Sequence, residues 1–282
     1  MEKHIGGGLR SLPKDDKDFQ FGAVFGKAQE LPESLFLTTP TGIKDQYQSD
    51  LCAAFSTCSA NEFHEEVEMS PEYAFAKAKM GEWQTWGLNL RDACKVWVNF
   101  GGLEKRFATL TLEKDGRDVV ADWENWDKGL DFAAGGHRQK SYFRVDSGND
   151  IFDDICNALY LRKDQKSPVV TGAIWRGSWT AAEKGEIEDK DYAGEQGFGH
   201  AFLIVGFDSI NGGRLIAQLS NGTDIGDSGY FYFPKRVVDE NFIFGSFQFN
   251  DLPKEDAKFL ATNKLNVNSI WARIFLAIKH LF

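Results

Sequence analysis

The sequence predicts an α+β protein with a helical N-terminal lobe and a strand-rich C-terminal lobe, because its hydrophobic period changes near residues 160–168. Before this change, apolar residues recur at helical spacing in four segments, at about 51–68, 70–79, 89–99 and 149–161. After it, short β-branched and aromatic runs are bounded by Gly, Asn and Asp, at 168–175, 200–207, 215–219 and 229–233. Helices followed by strands are typical of the α+β class.

Local signals support the helices one by one. Segment 51–68 contains no Gly or Pro. Ser70 suits an N-cap and Pro71 the first position of the second helix. Gly101 follows the third helix, at a place where glycine commonly ends one. The charged segment 104–150, which is rich in Trp and Asp, has no clear period, and we predict it to be mostly loop.

Both ends of the chain are predicted to lie outside the two lobes. Residues 1–30 form an extended N-terminal arm with apolar anchors around Phe21 and Phe25. Residues 256–282 carry an amphipathic helix that is too short to span a bilayer. This helix packs on its own lobe, or it docks on a protein partner or a membrane surface. The predicted division is therefore 1–30, a helical lobe at 31–160, a β lobe at 161–255, and the terminal helix at 256–282.

The charge balance excludes one large class of function. The 282 residues include 32 Lys and Arg against 42 Asp and Glu, giving a net charge of −10. A general nucleic-acid binder needs a basic face to neutralise phosphates, so no nucleic-acid partner is predicted. No secretory signal and no membrane span is visible, and we expect a cytoplasmic protein. No metal-ligand spacing or nucleotide loop is present, so no cofactor is predicted.

Cysteine usage raises a specific question. Four cysteines in a chain of this length do not make a disulfide framework. Cys58, Cys94 and Cys156 lie in helical patterns and are predicted to be buried free thiols. Cys52 differs, because it lies at the predicted start of the first helix. There the helix dipole and unpaired N–H groups favour a thiolate and can receive an oxyanion.

Three further features accompany Cys52. Gln46, six residues earlier, offers a side-chain amide, and His200 heads a strongly apolar strand. A Gly-punctuated loop at 222–231 runs into another strand. In its motifs and their order, the chain resembles the papain-like cysteine peptidase family over about residues 31–235. The motifs are a Gln, then Cys-x-Ala-Phe-Ser, then His-Ala, and finally Gly-Thr-x-x-Gly-x-x-Gly-Tyr. The nucleophile run is Cys52-Ala53-Ala54-Phe55-Ser56.

The resemblance implies a papain-like two-lobe fold in which the C-terminal lobe is an antiparallel, barrel-like sheet and the active-site cleft lies between the lobes. It also implies a peptide or protein substrate. Carried over to this chain, Cys52 is the nucleophile, His200 the acid and base, and Gln46 the oxyanion donor. Gly87 aligns loosely with glycines that hydrogen-bond the substrate backbone.

The sequence departs from the family pattern at the residue that orients the histidine. The family has Asn at the position of Leu219, and leucine cannot accept a hydrogen bond from the imidazole. Asn221, two residues on, lies on the same face of an extended strand and is the candidate replacement. Gln218 has the opposite parity and is the poorer one. Ala53 stands where the family usually has Trp.

Two functions remain open on this basis. The first is a cysteine peptidase that hydrolyses peptide bonds through a Cys–His pair. The second is a catalytically weakened or inactive papain-fold binding protein, for instance a component of a bacterial or viral assembly or a virion. In either case the N-terminal arm or the C-terminal helix is expected to contact a protein partner.

Overall fold

The computed structural model describes residues 7–13, 15, 18–79, 86–107, 129–146 and 150–251. The predicted C-terminal helix at 256–282 lies outside these ranges. No helix in the described ranges is long and apolar enough to cross a membrane.

The helices begin and end close to where the sequence predicts them. Ser70 caps its helix by accepting the Tyr73 N–H at 3.1 Å, and Asn89 caps the next by accepting the Asp92 N–H at 2.9 Å. In chain order the helices are α1 Phe21–Phe25, α2 Cys52–Glu65, α3 Pro71–Lys79, α4 Leu90–Asn99, α5 Gly129–Ala134, α6 Ile151–Leu161, α7 Gly177–Thr180 and α8 Lys235–Asn241.

The strands form one seven-stranded sheet in which all pairings are antiparallel. The hydrogen-bonded order is β2-β7-β3-β4-β5-β6, and β1 pairs with β4. The α+β class is confirmed, but the sheet is not closed into a barrel among the described residues. The strands are β1 Ser34–Phe36, β2 Gln139–Arg144, β3 Val169–Arg176, β4 Gly197–Asp208, β5 Arg214–Gln218, β6 Tyr230–Pro234 and β7 Ser246–Asp251.

One loop prediction was wrong. Segment 104–150 contains α5 and the edge strand β2, which pairs with β7. Within β2 only Gln139 and Phe143 are buried, so the strand lacks the apolar alternation from which it could be predicted. Both β1 and β2 come from the range predicted as the helical lobe, and both hydrogen-bond to the sheet of the C-terminal half.

Helix α2 is buried along almost its whole length. Every residue from Cys52 to Glu65 is buried except His64, so this helix has no solvent-facing stripe of the kind that surface helices show. Its small first residues, Ala53 and Ala54, allow the helix to pack closely against β4. Thr57 satisfies its buried hydroxyl by donating to the Ala53 carbonyl at 3.0 Å. The packing places the start of α2, and with it Cys52, in the centre of the molecule.

Candidate active site

Cys52 is the first residue of α2, and its side chain is completely buried. The backbone N–H groups of Ala201, Ala53 and Cys52 itself lie close enough to the sulfur to lower its pKa. Burial outweighs them and, with a smaller contribution from the Asp50 carboxylate, raises the pKa of the Cys52 thiol to about 12. In the state described here Cys52 is therefore a neutral thiol, and the helix start alone does not ionise it.

His200 lies in β4, next to the Ala201 whose N–H meets the Cys52 sulfur. Its ring is completely buried among aromatic rings. The ring centroids of Trp175 and Phe202 lie 5.5 Å and 6.2 Å from that of His200, and that of Phe198 lies 6.4 Å away. Strand β4 thus brings the predicted base into the same region as the predicted nucleophile.

Gln46 is completely buried, and its side-chain amide is held at both ends. Its Nε2 donates to the Ser49 carbonyl at 2.9 Å, and its Oε1 accepts from the Ser220 hydroxyl at 2.7 Å. The Gln46 backbone N–H also donates to the Ser220 carbonyl at 2.7 Å. The segment after β5 is therefore fastened to the loop that precedes Cys52.

Leu219 and Asn221 flank this connection. Leu219 is buried, and its N–H donates to the Gly229 carbonyl at 3.0 Å. Asn221 is 2% exposed, and neither atom of its side-chain amide has a hydrogen-bond partner among the described residues. A buried unpaired amide is costly, and native structures contain few of them. Asn221 is for this reason a polar group near the site that needs explanation.

Comparison with known proteins identifies the fold. No family model and no curated protein sequence matches the chain, but solved structures do. Xylellain, a cysteine protease from Xylella fastidiosa, is 20% identical with a TM-score of 0.70, over 89% of this chain and 98% of that one. Procathepsin B S9 of Trypanosoma congolense is 16% identical with a TM-score of 0.65, over 87% and 86%. Procathepsin L 3 of Tenebrio molitor is 17% identical with a TM-score of 0.61, over 88% and 76%.

The chain has the papain-like fold. The predicted resemblance is confirmed at this level, and identities of this size show a common fold without showing a common activity.

Within the papain-like fold, the segment around Gly87 lies beside the nucleophile loop. The Gly87 N–H donates to the Asp50 carboxylate at 2.8 Å. Its φ of 64° is in the left-handed region, which favours glycine. The next residue, Leu88, uses both its N–H and its carbonyl for contacts with the N-terminal arm. Gly87 as a substrate-binding residue stays a prediction.

Two residues of the site were not predicted from the sequence. Ser220 donates a hydrogen bond to the Gln46 amide oxygen. It lies inside the Leu-Ser-Asn-Gly run, in which the sequence analysis considers only Leu219 and Asn221. Asp50 is a buried carboxylate two residues before Cys52. No local pattern marks it, because its partner Gly87 is 37 residues away.

The remaining cysteines fit the predicted structural role. Cys58, Cys94 and Cys156 are free and buried, and burial raises the pKa of each thiol. Within the described ranges, no group of three or more His, Cys, Asp or Glu side chains gathers in a way that could hold a metal ion.

Proposed function

We propose that this chain is a cysteine peptidase that hydrolyses peptide bonds with Cys52 as nucleophile and His200 as acid and base. The observation that carries the proposal is the meeting of two elements: the head of α2, bearing Cys52, lies at the backbone of β4 next to His200. Solved structures with the same fold, such as xylellain, are cysteine proteases, and this supports the assignment.

The proposed reaction follows from the chemistry of these groups. His200 takes the proton from the Cys52 sulfur, and the thiolate attacks the carbonyl carbon of the scissile bond. The carbonyl oxygen becomes an oxyanion, which the Cys52 backbone N–H and the Gln46 Nε2 would stabilise. The protonated imidazole then gives its proton to the departing amine as the C–N bond breaks. Water, activated by the neutral imidazole, finally hydrolyses the thioester and releases the acid.

The contacts of Gln46 support its part in this scheme. An oxyanion donor works best when it is already oriented, because reorganisation during the reaction then costs nothing. Ser220 holds the oxygen end of the Gln46 amide and Ser49 the nitrogen end. The amide is thereby fixed before any substrate arrives.

Asn221 is the proposed positioning residue for His200. Strands β4 and β5 pair Leu203 with Gln218. Strand β5 ends at Gln218, and continuing the same register three residues beyond it would bring Asn221 opposite His200 and Leu219 opposite Phe202. Residues directly opposite each other have Cβ atoms about 4.5–5.5 Å apart, and the buried amide of Asn221 has both its atoms available among the described residues.

A second candidate is a binding protein that keeps the papain-like fold without catalysis. Two observations favour it: leucine occupies position 219, and burial raises the pKa of Cys52 to about 12. Such a protein would use the cleft to hold a peptide without cleaving it.

Hydrolysis of a mixture of fluorogenic peptides by the full chain distinguishes the peptidase from the non-catalytic binding protein. Wild type is compared with Cys52→Ala and with the matched control Cys58→Ala, which removes another buried thiol of α2. We expect hydrolysis in wild type and Cys58→Ala and none in Cys52→Ala. Equal rates in wild type and Cys52→Ala would refute the peptidase.

A further inference from the structure

The last 26 residues of the sequence differ in charge from the rest of the chain. Residues 257–282 contain four Lys or Arg and no Asp or Glu. Asp and Glu make up 42 of the 282 residues, so about four of them would be expected in this stretch. Since the whole chain carries −10 and this stretch +4, the other 256 residues carry −14. A basic stretch is thus joined to a strongly acidic body.

The same stretch, which lies outside the described ranges, has an amphipathic sequence pattern. A helix turns by about 100° per residue, so on a helix at 266–282 eight apolar side chains would fall within about 140° of its circumference. Arg273, Lys279 and His280 would fall on the remaining part, together with Leu276. The eight are Val267, Ile270, Trp271, Ile274, Phe275, Ile278, Leu281 and Phe282. A basic face opposite a face rich in aromatic and aliphatic residues is typical of helices that lie in the surface of an anionic membrane.

Three exposed apolar side chains of the N-terminal arm, here called the arm patch, form a second apolar surface. They are Phe19, Val24 and Phe25, which are 65%, 54% and 39% exposed. Phe21 is the one buried residue of α1, so this helix is attached by one side and its other side is open. The attachment is aromatic, because the ring centroid of Phe25 lies 4.6 Å from that of Phe21 and 5.1 Å from that of Phe143 in β2. The arm patch is therefore an apolar surface held against the sheet.

The arm patch lies beside the point where the described part of the chain ends. Strand β7 ends at Asp251, and the Oδ1 of the preceding Asn250 accepts from Arg162 Nη2 at 3.3 Å. The guanidinium carbon of Arg162 in turn lies 5.3 Å from the ring centroid of Phe25. One side chain therefore separates the end of β7 from the arm patch. A surface that receives residues 257–282 can meet the arm patch at the same time.

A lipid surface accounts for these features better than packing of the stretch on its own body does. A helix that packs on its own body needs an apolar surface of about the size of its own apolar face. Beside the end of β7, the described residues offer the three side chains of the arm patch, which are too few to cover eight. A bilayer covers both sets, because its interface takes up apolar faces and its anionic headgroups attract the four cations. Arg273 lies in the middle of the pattern, so the stretch would lie in the interface and would not span the bilayer.

We propose that residues 257–282 and the arm patch together bind an anionic lipid surface. The apolar face and the arm patch lie at the boundary of the acyl chains, and the cations lie among the headgroups. The remaining residues, with their charge of −14, are repelled by the same headgroups. Binding therefore turns the side of the body that carries the arm patch towards the lipid. This attachment goes beyond the proposed peptide hydrolysis and does not depend on it.

Flotation of the full chain with lipid vesicles tests the proposal. Vesicles of phosphatidylcholine that contain phosphatidylserine are compared with vesicles of phosphatidylcholine alone. The Debye length falls from about 10 Å at 0.1 M salt to about 3 Å at 1 M, so binding to the anionic vesicles should weaken at least tenfold between these concentrations. At 0.1 M salt the neutral vesicles should bind at least tenfold more weakly than the anionic ones. Equal binding to both kinds of vesicle, or binding to neither, would overturn the proposal.

Variants test both parts of the binding surface. Ile274→Asp places a charge in the apolar face, and Arg273→Glu reverses a charge on the opposite face; each should weaken binding to the anionic vesicles at least tenfold. Val24→Asp alters the arm patch and should weaken it at least threefold. Ile210→Asp is the matched control, because Ile210 is a similarly exposed apolar residue, 50% against 54% for Val24, in the turn between β4 and β5. The control should bind like wild type.

The remaining outcomes separate lipid binding from its alternatives. Urea unfolding checks that each variant is folded, and Arg273→Glu keeps the test decisive if Ile274→Asp is not, because Arg273 lies outside the apolar face. An equal loss of binding in Ile210→Asp would mean unspecific adsorption, and unchanged binding in both Ile274→Asp and Arg273→Glu would exclude residues 257–282; either result overturns the proposal. Cys52→Ala should bind vesicles like wild type, so a failure of the peptidase and a failure of lipid binding are read independently.

Discussion

Asn221→Leu separates a positioning role of Asn221 from a structural one, because the two roles predict opposite effects on stability and activity. The Asn221 amide is 2% exposed and unpaired among the described residues. Burying such an amide without a partner costs about 1–3 kcal/mol. Leucine has the same branched shape and no polar atoms, so we expect the free energy of unfolding to stay equal or to rise by about 1–2 kcal/mol.

The catalytic activity of Asn221→Leu should fall, although its stability does not. A hydrogen bond to a charged group contributes about 1.5–3 kcal/mol, and the Asn221 oxygen would make one to the protonated His200. Loss of that bond lowers kcat/KM by about 10- to 150-fold. The same free energy moves the rate–pH profile for alkylation of Cys52 to higher pH by about 1–2 pH units, because the thiolate loses a stabilised counter-ion.

The assay compares the variants with the wild-type full chain. Urea unfolding gives stability, fluorogenic peptides give kcat and KM, and iodoacetamide labelling gives the pH profile. Gln218→Leu is the matched control: Gln218 is 3% exposed, its Oε1 is also unpaired among the described residues, and it pairs with Leu203, on the opposite face to His200. An unchanged kcat and pH profile in Asn221→Leu, or equal losses in both variants, would refute the positioning role.

Three further predictions concern the surroundings of the site. Lys44→Met leaves the buried Glu62 without the ammonium that lies 3.2 Å away and should cost about 3 kcal/mol in urea unfolding at pH 7.5. Burial raises the pKa of Glu62, so the folded state binds its proton more tightly than the unfolded state does, and the loss should shrink at pH 5; an equal loss at both pH values would contradict this. Ser220→Ala removes the hydroxyl bond to Gln46 and should lower kcat about 2- to 10-fold with KM unchanged, in line with about 0.5–1.5 kcal/mol for one hydrogen bond; a change confined to KM would argue against an oxyanion role. In the full chain, alkylation of Cys52 should rise continuously from pH 6 to pH 10, because burial raises its pKa to about 12, and a plateau below pH 7 would mean that the thiol is already ionised.

The sequence predicts the helices that carry the site better than it predicts the long-range contacts around them. The N-cap predicted at Ser70 is a local signal, and the structure confirms it. The strand β2 is not predictable in the same way, because only its pairing with β7 stabilises it and its own residues do not alternate. Likewise, the contact of Asp50 with Gly87 depends on two segments that only the fold brings together.

Residues 7–13 of the N-terminal arm are a sharper case of the same limit. A Gly-rich arm without periodicity reads as flexible chain, since glycine has no side chain to record a contact. In the structure Gly8 is required because the Asp50 carbonyl group packs directly against it. Side-chain patterns report side-chain packing, whereas this contact is made by the backbone, so the sequence carries no sign of it.

The same reasoning explains how the site keeps its shape although Leu219 replaces the orienting residue. The connections between the nucleophile loop and the segment after β5 are made by the backbone: Gln46 N–H to Ser220 at 2.7 Å, and Gly222 N–H to Lys44 at 2.8 Å. A substitution at position 219 leaves both bonds intact. The architecture therefore persists whether or not the imidazole is oriented, and similarity of fold cannot distinguish an active enzyme from an inactive one. We expect that distinction to depend on one side chain, Asn221, whose buried amide has no hydrogen-bond partner among the described residues and is therefore available to orient the imidazole during catalysis.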